Sequence, residues 1–295
     1  MTIQDTSPVF ICGTTATGKS AIALKLAEQL NGEIINADAY QIYQGLETIS
    51  ACPTLPERKA APHHLYATIP LSEELNAMRY RTMALEVITD VQSRGKVPLI
   101  TGGSGMYLKF LTHGPSPIPA ADPVLRTELE ARPLDELLSE LKEKDSTILE
   151  TFPPENKRYV IRALEICLMT GKKASDLKAD WNTPPSPPPR GFIVQRSIEE
   201  TLTSIEKRAD EMLSKGAIEE VKDLPPDDKM PTAHKAIGIA EIRNYLSGES
   251  SLDECRERLI ISTRQYAKRQ RTWFRKEQWL TPVSPETEDF SQLII

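Results

Sequence analysis

The sequence predicts an α/β fold: a parallel sheet flanked by helices, carrying a mostly helical insert domain. Three observations predict it. Short apolar runs alternate with longer amphipathic stretches through the N-terminal third, the pattern of strand–helix units that builds a parallel sheet. Those runs end in polar or glycine-rich residues, and in such sheets ligands sit beyond the carboxyl ends of the strands. Between two proline-rich segments in the middle of the chain the sequence is helical in character and has no strand pattern.

The first apolar run, Val9-Phe10-Ile11-Cys12, leads into Gly13-Thr14-Thr15-Ala16-Thr17-Gly18-Lys19-Ser20. A helical pattern follows, with Ile22, Leu26 and Leu30 at four-residue spacing. The eight residues fit the phosphate-binding pattern G-x-x-x-x-G-K-[ST], in the strand–loop–helix context that the motif requires, so the sheet is expected to be P-loop NTPase-like. The glycines let the backbone fold tightly, and several N–H groups and the helix N-terminus then point at one anion. Lys19 adds a positive charge over the outer phosphate, and Ser20 offers a hydroxyl to a magnesium ion. The loop alone leaves open whether the phosphates belong to ATP or to another ligand.

The second run, Glu33-Ile34-Ile35-Asn36, ends at Asp38. A helix is expected from about Asn76 to Ser93, with Met78, Leu85 and Ile88 among its apolar positions. The third run, Val97-Pro98-Leu99-Ile100, ends at Thr101-Gly102-Gly103-Ser104-Gly105. The phosphate loop, Asp38 and Ser104 should therefore converge on one site, far apart though they are in sequence.

Prolines then punctuate the chain. Gly114-Pro115-Ser116-Pro117-Ile118-Pro119 marks an exit from the first αβ region, and Asn182 to Arg190, with five prolines, reads as an extended loop. Between them Leu125 to Lys144 is a charged amphipathic stretch. Tyr159 to Met169 is apolar on nearly all sides and so is expected to be buried, with Gly171 as its stop signal. The division is a P-loop core from residues 1–121 and 189–295, and a helical insert at 122–188. After the insert come a returning strand around Ile193, helices to about Gln278, and a polar, loose tail from Thr281.

A chain of 295 residues accommodates one large domain or two smaller ones. Hydrophobic content of 39% and charged content of 26% are ordinary for a globular protein in water. Met1 to Pro8 lacks the basic-then-apolar pattern of a secretory signal, and no apolar run approaches the roughly 18 residues needed to span a membrane. Cys12, Cys52, Cys167 and Cys255 are scattered without C-x-x-C pairs. That disfavours structural zinc or a disulfide framework and points to a reducing cytoplasm.

The net charge of −6 argues weakly against a nucleic-acid partner. Its distribution argues the other way. From Arg256 to Lys276 there are eight Lys or Arg residues and a single acid, Glu257. Arg264, Lys268, Arg271 and Arg275 stack on one helix face, and Ile260, Ala267 and Phe274 form a separate apolar stripe. Such a face is either solvated and balanced by acids elsewhere, or the footprint of a polyphosphate or nucleic-acid backbone. Its concentration on one stripe of an acidic protein favours the second reading.

Asp38, just past a strand and facing a phosphate loop, has three open roles: magnesium ligand, general base, or loop cap. Gly102-Gly103-Ser104-Gly105 is a flexible turn that lets backbone approach a ligand closely, and its serine can hydrogen-bond a substrate or simply belong to the turn. His63 and His64 are adjacent in an extended segment and point to opposite faces, which suits packing or surface roles better than a metal site. Gln41 and Tyr43 either line the Asp38 site or pack beneath it.

Together these residues resemble the tRNA dimethylallyltransferase (tRNA isopentenyltransferase) family, from about Val9 to Trp279. The resemblance rests on the Gly13–Ser20 loop, Asp38-Ala39-Tyr40-Gln41-Ile42-Tyr43, His63-His64-Leu65 and Gly102-Gly103-Ser104-Gly105-Met106-Tyr107-Leu108. It continues through Asp122-Pro123 with Arg126, Arg162-Ala163-Leu164-Glu165-Ile166 with Thr170-Gly171-Lys172, and Arg208-Ala209-Asp210-Glu211-Met212. It ends with Ala236-Ile237-Gly238 and Glu241, then Thr263 to Gln270 leading into Trp273-Phe274-Arg275.

The resemblance implies transfer of a dimethylallyl group from its diphosphate to N6 of an adenosine beside the tRNA anticodon. It implies that Gly13, Thr14, Thr15, Ala16, Thr17, Gly18, Lys19, Ser20 and Arg208 bind the diphosphate, with Ser20 on Mg²⁺. Asp38 matches the family's general base, and Ser104 stands where the family usually has threonine, so the positioning hydroxyl survives. The tRNA-contact stretches match Asp38, Ala39, Tyr40 and Gln41, Ser104, Arg126, then Arg158, Tyr159, Val160, Ile161 and Arg162. The last such stretch is Thr263, Arg264, Gln265, Tyr266, Ala267, Lys268, Arg269 and Gln270.

Two departures fall in those regions: Tyr159 where a basic residue is common, and Ile239-Ala240 in place of a Tyr-Lys pair. A C-terminal zinc-finger extension of the eukaryotic kind is missing, which favours the bacterial type. The expected protein is a cytoplasmic monomer whose partners are the tRNA anticodon stem-loop and dimethylallyl diphosphate, not a membrane. Rival readings are a prenyltransferase for free adenine nucleotides, a P-loop small-molecule kinase, and an RNA-binding protein with a vestigial loop. The intact loop and Asp38 speak against the last.

Overall fold

The computed structural model describes residues 5–183, 185–287 and 290, and it divides into two compact units. The first comprises the described residues up to Thr112 and from Ser186 onward, and the second is His113–Pro185.

In the first unit β1 (Val9–Gly13) runs through the phosphate loop into α1 (Lys19–Gln29), then β2 (Gly32–Asn36), α2 (Leu55–Ala60) and β3 (His63–His64). Next come α3 (Ala77–Ser93), β4 (Val97–Gly102) and α4 (Gly105–Thr112). β1, β2 and β4 are buried along their whole length, as strands covered on both faces must be. Their side chains alternate between two apolar layers: Phe10, Cys12, Ile35 and Ile100 face one, and Val9, Ile11, Ile34 and Leu99 face the other. On α3 the buried face is Tyr80, Ala84, Ile88 and Val91, while Met78 points to solvent.

The second unit holds α5 (Pro123–Ala131), α6 (Leu134–Asp145), α7 (Lys157–Thr170) and α8 (Ala174–Asn182). The Leu125–Lys144 stretch is broken at Pro133, whose ring cannot continue α5. α7 buries Val160, Ile161 and every residue from Ala163 to Cys167, and it ends at Gly171 in the left-handed region (φ 66°). Its ends depart from the expected all-round burial, because Tyr159, Leu168 and Met169 are exposed. The unit begins at His113 because the proline-rich lead-in docks onto it: Trp181 Nε1 donates to the Gly114 carbonyl and Arg162 Nη2 to that of Pro119.

The chain returns to the first unit as β5 (Arg190–Val194), followed by α9 (Ile198–Ser214), α10 (Ala217–Lys222), α11 (Ile239–Leu246), α12 (Leu252–Phe274) and β6 (Thr281–Val283). The six strands are all parallel, in the order β3-β2-β4-β1-β5-β6. β6 corrects the expectation of a loose tail from Thr281. It pairs with β5 (Phe192 with Thr281, Val194 with Val283), and Phe290 stacks on Phe192 at 5.1 Å. Pro282 is tolerated because an edge strand has a free side for a residue without an N–H. The stripe Ile260, Ala267 and Phe274 of α12 is buried, as its spacing predicts.

The histidine pair lies on β3. His63 Nδ1 meets the Ala61 carbonyl, and His64 Nε2 lies 2.7 Å from Glu33. Glu33 is 1% exposed and is also met by Arg94 and Lys96. The Arg94 guanidinium, helped by His64 and Lys96, holds its carboxyl at about 2 against the opposing effect of burial.

Candidate active site

The carboxyl ends of β1, β2, β4 and β5 open into one cavity of about 360 Å³. Thr15, Ala16, Gly18, Lys19 and Ser20 line it from the phosphate loop, Asp38, Tyr40 and Gln41 from the segment after β2, and Thr101, Gly102 and Gly103 from β4. α9 contributes Ser204, Ile205, Arg208, Ala209 and Met212, and α12 contributes Leu259, Thr263, Tyr266 and Gln270.

The loop is shaped by its own sequence. Gly13 leaves β1 at φ 152°, where a Cβ would stand 2.7 Å from the Val194 carbonyl oxygen. Gly18, at φ 91°, starts α1. Ala16 holds φ 63°, a left-handed conformation that costs a non-glycine residue about 1 kcal/mol and recurs at ligand clamps. Thr14 and Thr17 are buried behind the loop, with Thr17 Oγ1 donating to the Thr14 carbonyl at 2.9 Å. Lys19 Nζ donates to the same carbonyl at 2.6 Å. Burial, and then the charge on Arg208, pull Lys19 down to about 8, with Asp38 pulling the other way. Arg208 Nη1 donates to Thr15 Oγ1 at 2.8 Å. Burial lowers Arg208 as well, opposed by Asp38.

Asp38 rests on a buried scaffold. Its N–H donates to Asn36 Oδ1 at 2.8 Å, Asn36 Nδ2 donates to the Leu65 carbonyl at 2.9 Å, and Tyr80 Oη donates to the Asn36 carbonyl at 2.8 Å. Asp38 Oδ1 accepts the Tyr40 N–H at 3.0 Å and the Gln41 N–H at 3.4 Å. The cap role is therefore filled by one oxygen, and the carboxylate still lines the cavity. Gln41 Nε2 donates to the Ser50 and Ala51 carbonyls, so its amide nitrogen braces a loop. Tyr43 is fully buried and packs beneath. Tyr66 and Tyr266 also line the cavity, and burial pushes both phenols above their ordinary range.

The glycine turn after β4 lines the cavity at Gly102 and Gly103, and its glycines also make room for packing. A Cβ on Gly102 would strike the Ala37 backbone, one on Gly103 the Gln270 amide, and one on Gly105 the Trp273 ring. The missing side chains admit α12 and the neighbouring segment. Gln270, only 5% exposed, accepts the Thr15 N–H and donates to the Gly103 carbonyl. Ser104 follows directly; its N–H donates to the Ala37 carbonyl at 3.1 Å, and its carbonyl accepts the Leu108 N–H that starts α4.

The remaining predicted residues divide by environment. On α12 Gln265, Lys268 and Arg269 are exposed and Ala267 is buried. Ala39 packs against the core. Arg264 leaves the free basic stripe, because it is ion-paired to Glu206 of α9. In the His113–Pro185 unit Arg126 and Arg162 both pair with the fully buried Glu165. Arg158 is exposed, Tyr159 is 53% exposed and stacks on Phe152 at 5.5 Å, and Val160 and Ile161 lie in the core of that unit. Sequence reasoning missed Arg196 and Tyr66 as lining residues. The position of Arg196 just past a returning parallel strand was the signal available for it.

A family model described as IPP transferase matches residues 41–277. The tRNA dimethylallyltransferase of Akkermansia muciniphila is 41% identical over 279 residues, covering 94% of each chain. The chain belongs to the tRNA dimethylallyltransferase family. The Geobacter sulfurreducens member is 40% identical, covering 92% of this chain and 90% of its own. Among solved structures, the full-length tRNA isopentenylpyrophosphate transferase of Bacillus halodurans superposes with a TM-score of 0.69 at 32% identity, covering 98% of this chain and 93% of that one. A eukaryotic dimethylallyltransferase, captured acting on tRNA, gives 0.78 at 28% identity, covering 98% and 75%.

Proposed function

We propose that the protein transfers a dimethylallyl group from dimethylallyl diphosphate to N6 of the adenosine 3′-adjacent to the anticodon in tRNA, releasing diphosphate. One observation carries this reading: a phosphate loop and the Asp38 carboxylate face a single cavity, one wall of which is the basic helix α12. Ile205, Ala209, Met212 and Leu259 give that cavity an apolar side suited to the prenyl group.

The N6 lone pair forms a bond to C1 of the allyl group as the C1–O bond breaks, and that electron pair leaves on the diphosphate. The loop N–H groups, Lys19 and Arg208 take up the charge that develops there. The adenine amine is a weak nucleophile because its lone pair is delocalised, so Asp38 accepts its proton as general base. The Ser104 hydroxyl is assigned to positioning. The target base is drawn out of its stack to reach Asp38. The exposed cations of α12 receive tRNA phosphates, and Arg126, Arg158 and Arg162 of the insert are assigned the same class of contact.

Magnesium fits the donor set. The Ser20 hydroxyl lines the cavity at the phosphate loop, where it would hold Mg²⁺ together with substrate phosphate oxygens and water, leaving Asp38 free to act as base. Bound there, it would supply charge neutralisation for the leaving diphosphate. The four cysteines are free, which accords with a reducing cytoplasm.

The test supplies labelled dimethylallyl diphosphate and magnesium with three acceptors: tRNA, an anticodon stem-loop, and AMP or ATP. Transfer to tRNA and the stem-loop is expected. Transfer confined to free nucleotides would replace the reading with a nucleotide prenyltransferase, and phosphorylation without prenyl transfer would replace it with a kinase.

A further inference from the structure

Arg196 follows β5, the strand hydrogen-bonded to β1 on the side away from β4, and its side chain lines the same cavity as Lys19 and Arg208. Its Nη1 donates to Ser204 Oγ at 3.1 Å. Ser204 and Arg208 are four residues apart on α9 and share one helix face, so the two guanidiniums are set along the same side of the phosphate loop. Arg196 Nη2 reaches within 3.8 Å of the point where a Cβ on Gly18 would lie, beside the N-terminus of α1.

Three further facts mark this placement as incomplete. Arg196 Nε is buried with no hydrogen-bond partner. Among the described residues no carboxylate pairs with the guanidinium. Glu200, the acid that feels its charge, is committed to capping Ser197. A cation held beside the positive end of a helix, near Lys19 and Arg208, is unfavourable until an anion arrives. Asp38 is the one carboxylate among the described lining residues, and it cannot balance three cations.

We propose that Arg196 is a second guanidinium clamp on the diphosphate, acting beside Arg208. This rests on the reading that the phosphate loop holds the diphosphate of the prenyl donor. The probe is inorganic diphosphate, titrated calorimetrically into the wild-type chain and into Arg196→Ala, Arg196→Gln, Arg208→Ala and Lys19→Ala. Loss of a charge-assisted pair weakens binding about 10- to 100-fold, and that loss is expected for both Arg196 variants.

Arg196→Gln separates clamp from strut. Glutamine keeps a donor near Ser204 but no charge, so a role confined to anchoring α9 leaves its diphosphate binding at the wild-type level, which overturns the proposal. It also carries the test if Arg196→Ala fails to fold. The KM for tRNA is expected to stay within about twofold in Arg196→Gln, while the KM for dimethylallyl diphosphate rises with the dissociation constant. Undiminished diphosphate binding in Lys19→Ala would instead overturn the reading of the loop itself.

Discussion

The Gln270 side-chain oxygen accepts the backbone N–H of Thr15 at 2.8 Å, which ties the basic helix α12 directly to the phosphate loop. Its amide nitrogen donates to the Gly103 carbonyl at 2.9 Å, so one buried side chain of α12 holds two strand-end segments, those after β1 and β4, in register. Gln270, expected among the tRNA contacts, is buried and lines the cavity.

Replacing Gln270 by leucine removes both bonds and leaves buried backbone groups unpaired, at about 1–3 kcal/mol each. The thermal midpoint of Gln270→Leu should fall and its kcat/KM for the prenyl donor should drop, while tRNA affinity changes little. Gln270→Glu keeps the acceptor for Thr15 but sets a carboxylate beside the anion site, so its KM for dimethylallyl diphosphate should rise further. Steady-state kinetics with each substrate varied in turn, alongside tRNA binding, checks this. A loss confined to tRNA affinity would return Gln270 to the RNA-facing set.

Asp38 combines a cap with a candidate base, and substitution can separate them. Asparagine retains the Oδ1 that accepts the Tyr40 and Gln41 N–H groups but cannot take a proton from an amine. Asp38→Asn should keep the fold and bind tRNA normally, yet lose about 10²- to 10⁴-fold in single-turnover transfer, the usual contribution of a general base. Turnover within a few-fold of wild type would remove Asp38 from that role.

The parts of this molecule that were legible in its sequence are those encoded locally. The phosphate loop is a contiguous octet, and β1, β2 and β4 are short runs buried on both faces. The convergence of Asp38 on the loop follows from parallel-strand geometry alone. What was not legible depends on which helix packs where. The glycines after β4 read as ligand-facing, but their second purpose, admitting Gln270 and Trp273, shows only once α12 is packed against them. Arg264 reads as one member of a basic stripe until Glu206 of α9 meets it. β6 is three residues at a sheet edge, two of them exposed, too short for a periodicity. Arg196 carries no motif, and only the return of β5 beside β1 brings it to the loop.

The depressed Lys19 makes a pH prediction with opposite signs for stability and binding. Its folded-state value is about 8 against an ordinary 10.5. Between those two values the folded chain holds fewer protons than the unfolded one, so this group's contribution raises stability as pH rises through the window, and the cost of the buried charge is fully present below it. Diphosphate needs the charged amine, so donor affinity should fall as pH rises through about 8. Lys19→Met should bind the donor weakly at every pH and lack both trends. Thermal midpoints and donor KM, measured from pH 7 to 10 on the two proteins, decide it. Parallel profiles for the two would sink the assignment.

The basic helix is best tested at the cations that remain free. Lys268, Arg271 and Arg275 have no carboxylate partner among the described residues, whereas Arg264 is tied to Glu206 and its Nε is buried without a partner. Lys268→Glu with Arg271→Glu should weaken tRNA binding and flatten its dependence on salt. Each lost phosphate contact lowers the slope of log K against log salt by roughly 0.7 to 0.9. Arg264→Glu opposes two carboxylates between α9 and α12, so it should lower the thermal midpoint by loosening that packing and leave most of the salt slope in place. Anisotropy titrations of labelled tRNA at four or five salt concentrations distinguish the two. A slope unchanged by the Lys268 and Arg271 reversals would mean that this face of α12 is solvated and that tRNA phosphates are met elsewhere.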